Sequence, residues 1–233
     1  MKKPVTLSTT ESNILEAEPE PLQVELQRMA VVVIDMQNAF VSKGGMFDLS
    51  GQDISRSQRV IEPITKINRA ARARGVKVIY VVHHHSPDLR ETGGSNSGYW
   101  HSPHVRMYRE HPEWREEFII SGTWGAEIVK QLKPRQDEIV VVKPKYSAFF
   151  GTDLDTILKT FNIKYLAFVG VATNICVEAA IRDACYLGYF PILISDAVAP
   201  AGPPYTQEAT IYNVKLCFGW VATTEDLVTA LKK

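Results

Sequence analysis

The sequence predicts a three-layer α/β/α fold, a mostly parallel, roughly six-stranded, Rossmann-like sheet between two layers of helices. Three observations carry this. Short β-branched runs recur along the chain. They are apolar almost throughout rather than alternating, as strands buried on both faces are. Stretches of helical pattern separate them, the rhythm of βαβ units with right-handed crossovers.

Taken in order, the strand runs are "AVVVID" (30–35), "VKVIYVV" (76–82), "EIVVVK" (138–143), "KYLAFVG" (164–170) and "FPILIS" (190–195), with a last short one near "KLCFGW" (215–220). The helical stretch "SQRVIEPITKINRAARARG" ends in Gly75, a suitable residue just past a helix end. "GTDLDTILKTFN" and "TNICVEAAIRDACYLG" follow, and Gly188 closes the latter. Residues 1–25 are polar, with Pro19 and Pro21. They are expected to form a mobile arm, or one that docks on a neighbouring subunit, ahead of a single domain over 26–233. Residues 83–123 break the rhythm. The segment is rich in His, Gly, Ser and Pro, and connections of that length are usually functional. Its glycines are suited to hinge, and Tyr99 and Trp100 to close over a small planar substrate.

Composition narrows the function. The chain has 233 residues, 45% hydrophobic and 22% charged, enough for one sizeable core. Lys plus Arg and Asp plus Glu are 26 each, so the net charge is zero, against the basic excess of nucleic-acid binders. No apolar run reaches the roughly 18 residues of a membrane helix, and the first residues lack the apolar stretch of a signal peptide. Three cysteines without tight spacing make neither a disulfide framework nor a zinc motif. The expectation is a cytoplasmic protein acting on a small molecule, with no nucleic-acid or membrane partner.

In open α/β sheets ligands bind beyond the carboxyl ends of the strands. Those ends carry Asp35, the run His83 to His85, Lys143, and "GVATNIC". Each has a plain alternative: a cap for Asp35, a solvated strand end for Lys143, packing for Cys176. Their gathering at one sheet edge favours chemistry. With Thr173 as N-cap, Cys176 falls in the first helical turn, where the dipole and a nearby lysine lower a thiol pKa. Asp35 is then placed to take the thiol proton and return it to a leaving nitrogen. N–H groups at the helix start face the same spot, as an oxyanion hole requires. Cys185 and Cys217 read as structural.

"VVVIDMQNAF…GG", "VVKPKYSAFF" and "GVATNICVEAAIRDA" together resemble the isochorismatase-like cysteine hydrolase superfamily, from about residue 28 onward. The resemblance implies a catalytic triad of Asp35, Lys143 and Cys176, a cis Val171–Ala172 peptide, and an oxyanion hole from the N–H groups of Ala172 and Cys176. It implies Lys143 rather than Lys145, and C–N hydrolysis through a thioester, with no cofactor. Within the superfamily the motifs, with "FGWVAT", most resemble the ureidoacrylate amidohydrolases. Biuret, N-carbamoyl-amino acid or nicotinamide-type amides are the alternative substrates. From another class, a nucleotide-binding or a non-catalytic Rossmann-like protein remains open, although "IDMQNAF" lacks the glycines of a dinucleotide turn. The same resemblance implies a homo-oligomer, a dimer or a tetramer. Substrate contacts are expected from Asn38, Phe40, His83, His85, Glu91, Trp100, Tyr146 and Asn174. As aligned, ureidoacrylate enzymes have Asn and Trp where this chain has His83 and His85, which bears on the substrate. Residues two apart on an extended stretch point the same way. That would bring His83 and His85 together; the superfamily's nicotinamidases bind a metal near this place with a further histidine later in the chain, so the resemblance implies His101 or His104 as the third member of a zinc-type set. Metal-free substrate binding is the leading expectation.

Overall fold

Valine, isoleucine and alanine fill the central strands, and the sheet they make is covered on both faces. The computed structural model describes residues 12–232. Its main sheet has six parallel strands in the order β5-β4-β3-β6-β7-β8. They are β3 (Met29–Ile34), β4 (Lys77–His83), β5 (Ile139–Lys143), β6 (Tyr165–Val171), β7 (Phe190–Ala199) and β8 (Trp220–Ala222). Side chains alternate between two cores. Met29, Val31 and Val33 of β3 enter one; Ala30, Val32 and Ile34 enter the other.

The helices in chain order are α1 (Asn38–Val41), α2 (Met46–Leu49), α3 (Ser55–Arg59), α4 (Ile61–Ala73), α5 (Pro103–Glu110), α6 (Leu154–Thr160), α7 (Glu178–Tyr186), α8 (Pro204–Asn213) and α9 (Thr224–Lys232). α4 turns Ile64, Ile67 and Ala71 to the first core, at the spacing one helix face demands. α6 and α7 cover the second with Leu154, Leu158, Ala180, Ile181 and Ala184. The expected three layers are therefore present. Gly75 and Gly188 sit past α4 and α7 with φ of +69° and +82°, as their places predicted.

Two expectations change. Residues 12–25 are not a loose arm. β1 (Ser12–Leu15) and β2 (Leu22–Glu25) form an antiparallel hairpin, with Leu15, Leu22 and Val24 buried. Asn13 Nδ2 donates to Ala230 O at 2.6 Å, and Glu18 and Val221 exchange backbone bonds of 2.8 and 2.9 Å. The hairpin thus covers the β8 edge, which unpaired would invite association. Residues 1–11 of the expected arm lie outside the described residues. Second, "KLCFGW" is mostly not a strand: α8 runs on into a π-helical turn over Val214–Phe218, and the sixth strand begins at Trp220. The segment 83–123, expected to act as a cover, carries structure of its own. His85 pairs with Ile120, and α5 lies across the carboxyl end of the sheet.

Candidate active site

The strand order reverses between β3 and β6, where a crevice opens beyond the strand ends. Asp35 follows β3 with φ +51°, a left-handed conformation that Asp tolerates better than most residues. Its N–H donates to Val81 O at 2.9 Å, so the turn is fixed to the sheet. Lys143 ends β5, in register with His83 at the end of β4. β5 lies two strands from β3, roughly 10 Å away, so a long side chain is needed to reach Asp35. β6 ends at Gly170 and Val171. Gly170 has φ +112°, and a Cβ there would strike the Ile34 backbone oxygen, so only glycine lets β6 run this close to β3. The Val171–Ala172 peptide is cis, as the resemblance implied.

Asp35, Lys143 and Cys176 meet. Lys143 Nζ lies 2.9 Å from Asp35 Oδ2 and 3.4 Å from Cys176 Sγ, and donates to Lys145 O at 3.0 Å. The three side chains are almost wholly buried. Burial raises the Asp35 carboxyl above its ordinary 3.8, only partly offset by the adjacent ammonium. For Lys143 burial works the other way, yet Asp35 and the sulfur outweigh it and the ammonium is held. The expected low thiol pKa is not found. Burial and the Asp35 charge push Cys176 well up, while Lys143 pulls it down by less. The expected N-cap moves too: Ala172 caps a π-helical turn over Thr173–Val177 that contains Cys176, and α7 continues from it.

Beside the triad is a cavity of about 260 Å³, at the small end of ligand sites. Of the expected contact residues, Phe40, His83 and Tyr146 line it, with Ala172 and Cys176 of the expected oxyanion hole. Five others stand elsewhere. Asn38 donates to Trp124 O at 2.9 Å and accepts from Ser42 Oγ at 2.8 Å, which pins α1 to the 124 loop. Glu91 accepts from the N–H and hydroxyl of Ser86. Trp100 lies under the Arg109 guanidinium, 4.5 Å from its ring centre. Asn174 exchanges bonds of 3.1 and 3.0 Å with the Ala201 backbone, holding a wall residue rather than forming the wall. His85 is behind the wall, in ring contact with His83, Tyr99 and His104.

The walls that sequence reasoning missed come from outside the strands: Met46 and Phe47 of α2, Gln52, and Pro103 and Met107 of α5; His104, named from the sequence only for a metal set, is a wall residue too. The apolar spacing of Met46–Phe47 and the α5 stretch carried no signal that they face one point. Gln37 was also missed. It is fully buried and grips the His83 backbone from both sides, accepting from its N–H at 2.8 Å and donating to its carbonyl at 3.0 Å. Of the cover residues, Tyr99 bonds His83 Nε2 at 3.0 Å and His104 Nε2 at 3.3 Å. The donor nitrogens of His83, His85 and His104 lie within 4.8 Å of one another, so this set could hold a divalent ion. His101 instead bonds Ser95 O at 2.9 Å and is not in the set. Burial lowers all three imidazoles, His85 to about 4 and His104 to about 3, so they are neutral at physiological pH.

Fold and site together define a doubly wound α/β protein with a buried thiol, carboxylate and ammonium at its switch point. The comparisons with known proteins agree. A model of the isochorismatase domain matches residues 29–226. The chain is similar to the ureidoacrylate amidohydrolase of Azorhizobium caulinodans, 46% identical over 214 residues, 91% of this chain and 94% of that protein. It is similar to the ureidoacrylate amidohydrolase of Agrobacterium fabrum at 45%, covering 91% and 93%. Among solved structures it resembles a cysteine hydrolase from Pseudomonas syringae pv. phaseolicola, with TM-score 0.74, 28% identity, and 100% and 99% coverage. It also resembles the N-carbamoylsarcosine amidase of Thermoplasma acidophilum, with TM-score 0.65, 26% identity, and 85% and 97% coverage. The chain belongs to the isochorismatase family.

Proposed function

We propose that this protein is a thiol-dependent amidohydrolase that cleaves the C–N bond of a small ureido, carbamoyl or amide compound. The carrying observation is that Asp35 and Cys176 share the Lys143 ammonium, at 2.9 and 3.4 Å, on the wall of a small cavity. Asp35 takes the thiol proton, and Lys143 stabilises the thiolate as it forms. Sulfur attacks the carbonyl carbon, and the C–S bond forms as charge moves to oxygen. The Ala172 and Cys176 N–H groups receive that oxyanion. Asp35 returns the proton to nitrogen, the C–N bond breaks, and an amine or ammonia leaves. Water then hydrolyses the thioester. The names of the relatives, ureidoacrylate amidohydrolase and N-carbamoylsarcosine amidase, support a ureido or carbamoyl group as the reacting end. His83 and Tyr146 contact the substrate in this reading, as neutral hydrogen-bonding groups and without a metal.

Ammonia release from a panel of ureido compounds and amides tests the reading. Turnover of at least one ureido or carbamoyl compound is expected, and none across the panel would refute it. The proposal extends to the whole protein. No helix among the described residues is long and apolar enough to cross a membrane, and three free cysteines fit a reducing, cytoplasmic setting. Exposed Tyr205, Tyr212 and Leu216 on and beyond α8, and Val140 and Val142 on the β5 edge, support a homo-oligomer, dimer or tetramer. Light scattering decides; a fully active monomer would contradict it.

A further inference from the structure

The non-reacting end of the substrate must fit the rest of the cavity lining, and that lining is mainly hydrocarbon. Phe40, Met46, Phe47, Met107, Ile175 and Ala201 contribute to it. The polar groups on the cavity are Asp35, Cys176, His83, His104, Tyr146 and Gln52. No lysine or arginine lines it among the described residues. Lys143 comes nearest, but its position leaves nothing for a substrate anion. An ammonium has three protons, and Lys143 faces three acceptors: Asp35 Oδ2, Cys176 Sγ and Lys145 O. Several cations on neighbouring segments are engaged elsewhere. Arg109 lies over Trp100, Arg106 pairs with Glu110, Lys145 lies over the Tyr99 and Phe150 rings, and Arg56 donates to Gly202 O.

The imidazoles do not replace a cation. His83 and His104 pack against each other and against His85, with ring centres 4.8 to 5.8 Å apart, in a buried cluster. Protonating one would set a charge among close neighbours; of the nearby acids, Asp35, within 4.8 Å of His83, is already paired with Lys143, and Glu91 acts on His85. A carboxylate brought into this cavity would lose its water, find no counter-charge, and face the Asp35 carboxylate.

We infer that the substrate carries no charge at its non-reacting end: a neutral amide or ureide bearing a short hydrocarbon or aromatic group, rather than one bearing a carboxylate. The inference rests on the thiol hydrolase reading and sharpens it. The ureido group of the relatives' named substrate is kept, and its acid end is what this chain's own wall does not accommodate. Gln52 offers the outer wall one neutral donor and acceptor, so a polar uncharged substituent is also accepted.

Alkylation of Cys176 tests the charge preference without turnover. The full-length protein is treated with iodoacetamide or iodoacetate, two reagents of nearly equal size that differ by one charge, and modification is read on the peptide containing Cys176. Glutathione in the same buffer gives the intrinsic reactivity ratio. The expected iodoacetamide-to-iodoacetate rate ratio at Cys176 is at least tenfold above that of glutathione. A ratio equal to or below that of glutathione overturns the inference, and would also be the result if a second copy delivered a cation to the cavity. Cys176 alkylated by neither reagent would overturn the reactive-thiol reading itself. Matched substrates complete the test. An alkylurea is expected to exceed the ω-carboxylated urea of the same chain length at least tenfold in kcat/KM. Equal or better turnover of the acid overturns the inference while leaving the hydrolase reading in place.

Discussion

A buried carboxylate that shares an ammonium with a thiol can move a single proton between sulfur and substrate nitrogen. In the proposed mechanism Asp35 does this only when ionised, and burial has raised its pKa from 3.8. The rate should therefore fall as pH falls through the raised value, with an acid limb in kcat/KM above 3.8. A profile flat down to pH 4 in folded protein would exclude Asp35 as the base. Lys143 is open to a separate test. Lys143→Met keeps the stem and removes the charge, leaving Asp35 buried without a partner, a loss of roughly 3–5 kcal/mol. Because Lys143 is what lowers the Cys176 thiol, the variant should react more slowly with iodoacetamide at neutral pH. Unchanged alkylation would remove Lys143 from that role. These residues were legible in the sequence because each sits at the end of an apolar run. The thiol pKa was not legible, because helix position says nothing of how deeply a side chain is buried.

At the level of elements, the site depends on how closely β3 and β6 approach. Gly170 permits this, since its φ is +112° and any Cβ would meet the Ile34 backbone. Gly170→Ala should therefore lower stability by at least about 2 kcal/mol, from overpacking and an unfavourable backbone conformation together. A urea midpoint matching the wild type would show that the strands can part without loss. The strands themselves were readable from composition, since five of the six apolar runs are strands at nearly the expected bounds. What failed had weak local signals. Residues 12–25 look polar along the chain, yet Leu15, Leu22 and Val24 fall on one buried side once the hairpin pairs. The sixth strand was displaced because α8 extends into "VKLCF" as a π turn. The cavity walls came from α2 and α5, whose facing surfaces are set by tertiary packing rather than by any period in the sequence.

For the whole molecule, three buried neutral imidazoles couple stability to pH. His83, His85 and His104 all bind protons less well folded than unfolded, with His85 at about 4 and His104 at about 3 against an ordinary 6.5. Below about pH 6.5 the unfolded chain takes up protons that the folded chain refuses. Stability must then fall as pH drops from 6.5 towards 4, by up to about 1.4 kcal/mol per pH unit for each imidazole. Urea unfolding at pH 7, 6 and 5 measures it, and a stability unchanged over that range would mean the histidines are charged or solvated. The central claim is that Cys176 forms the bond to carbon, and Cys176→Ala tests it most directly. Ammonia release from the best ureido compound of the panel is compared between wild type and variant, with the fold checked by circular dichroism and urea midpoint. The account predicts a folded variant with turnover reduced at least roughly a thousandfold, about 4 kcal/mol in barrier; a folded variant retaining near wild-type ammonia release would contradict it.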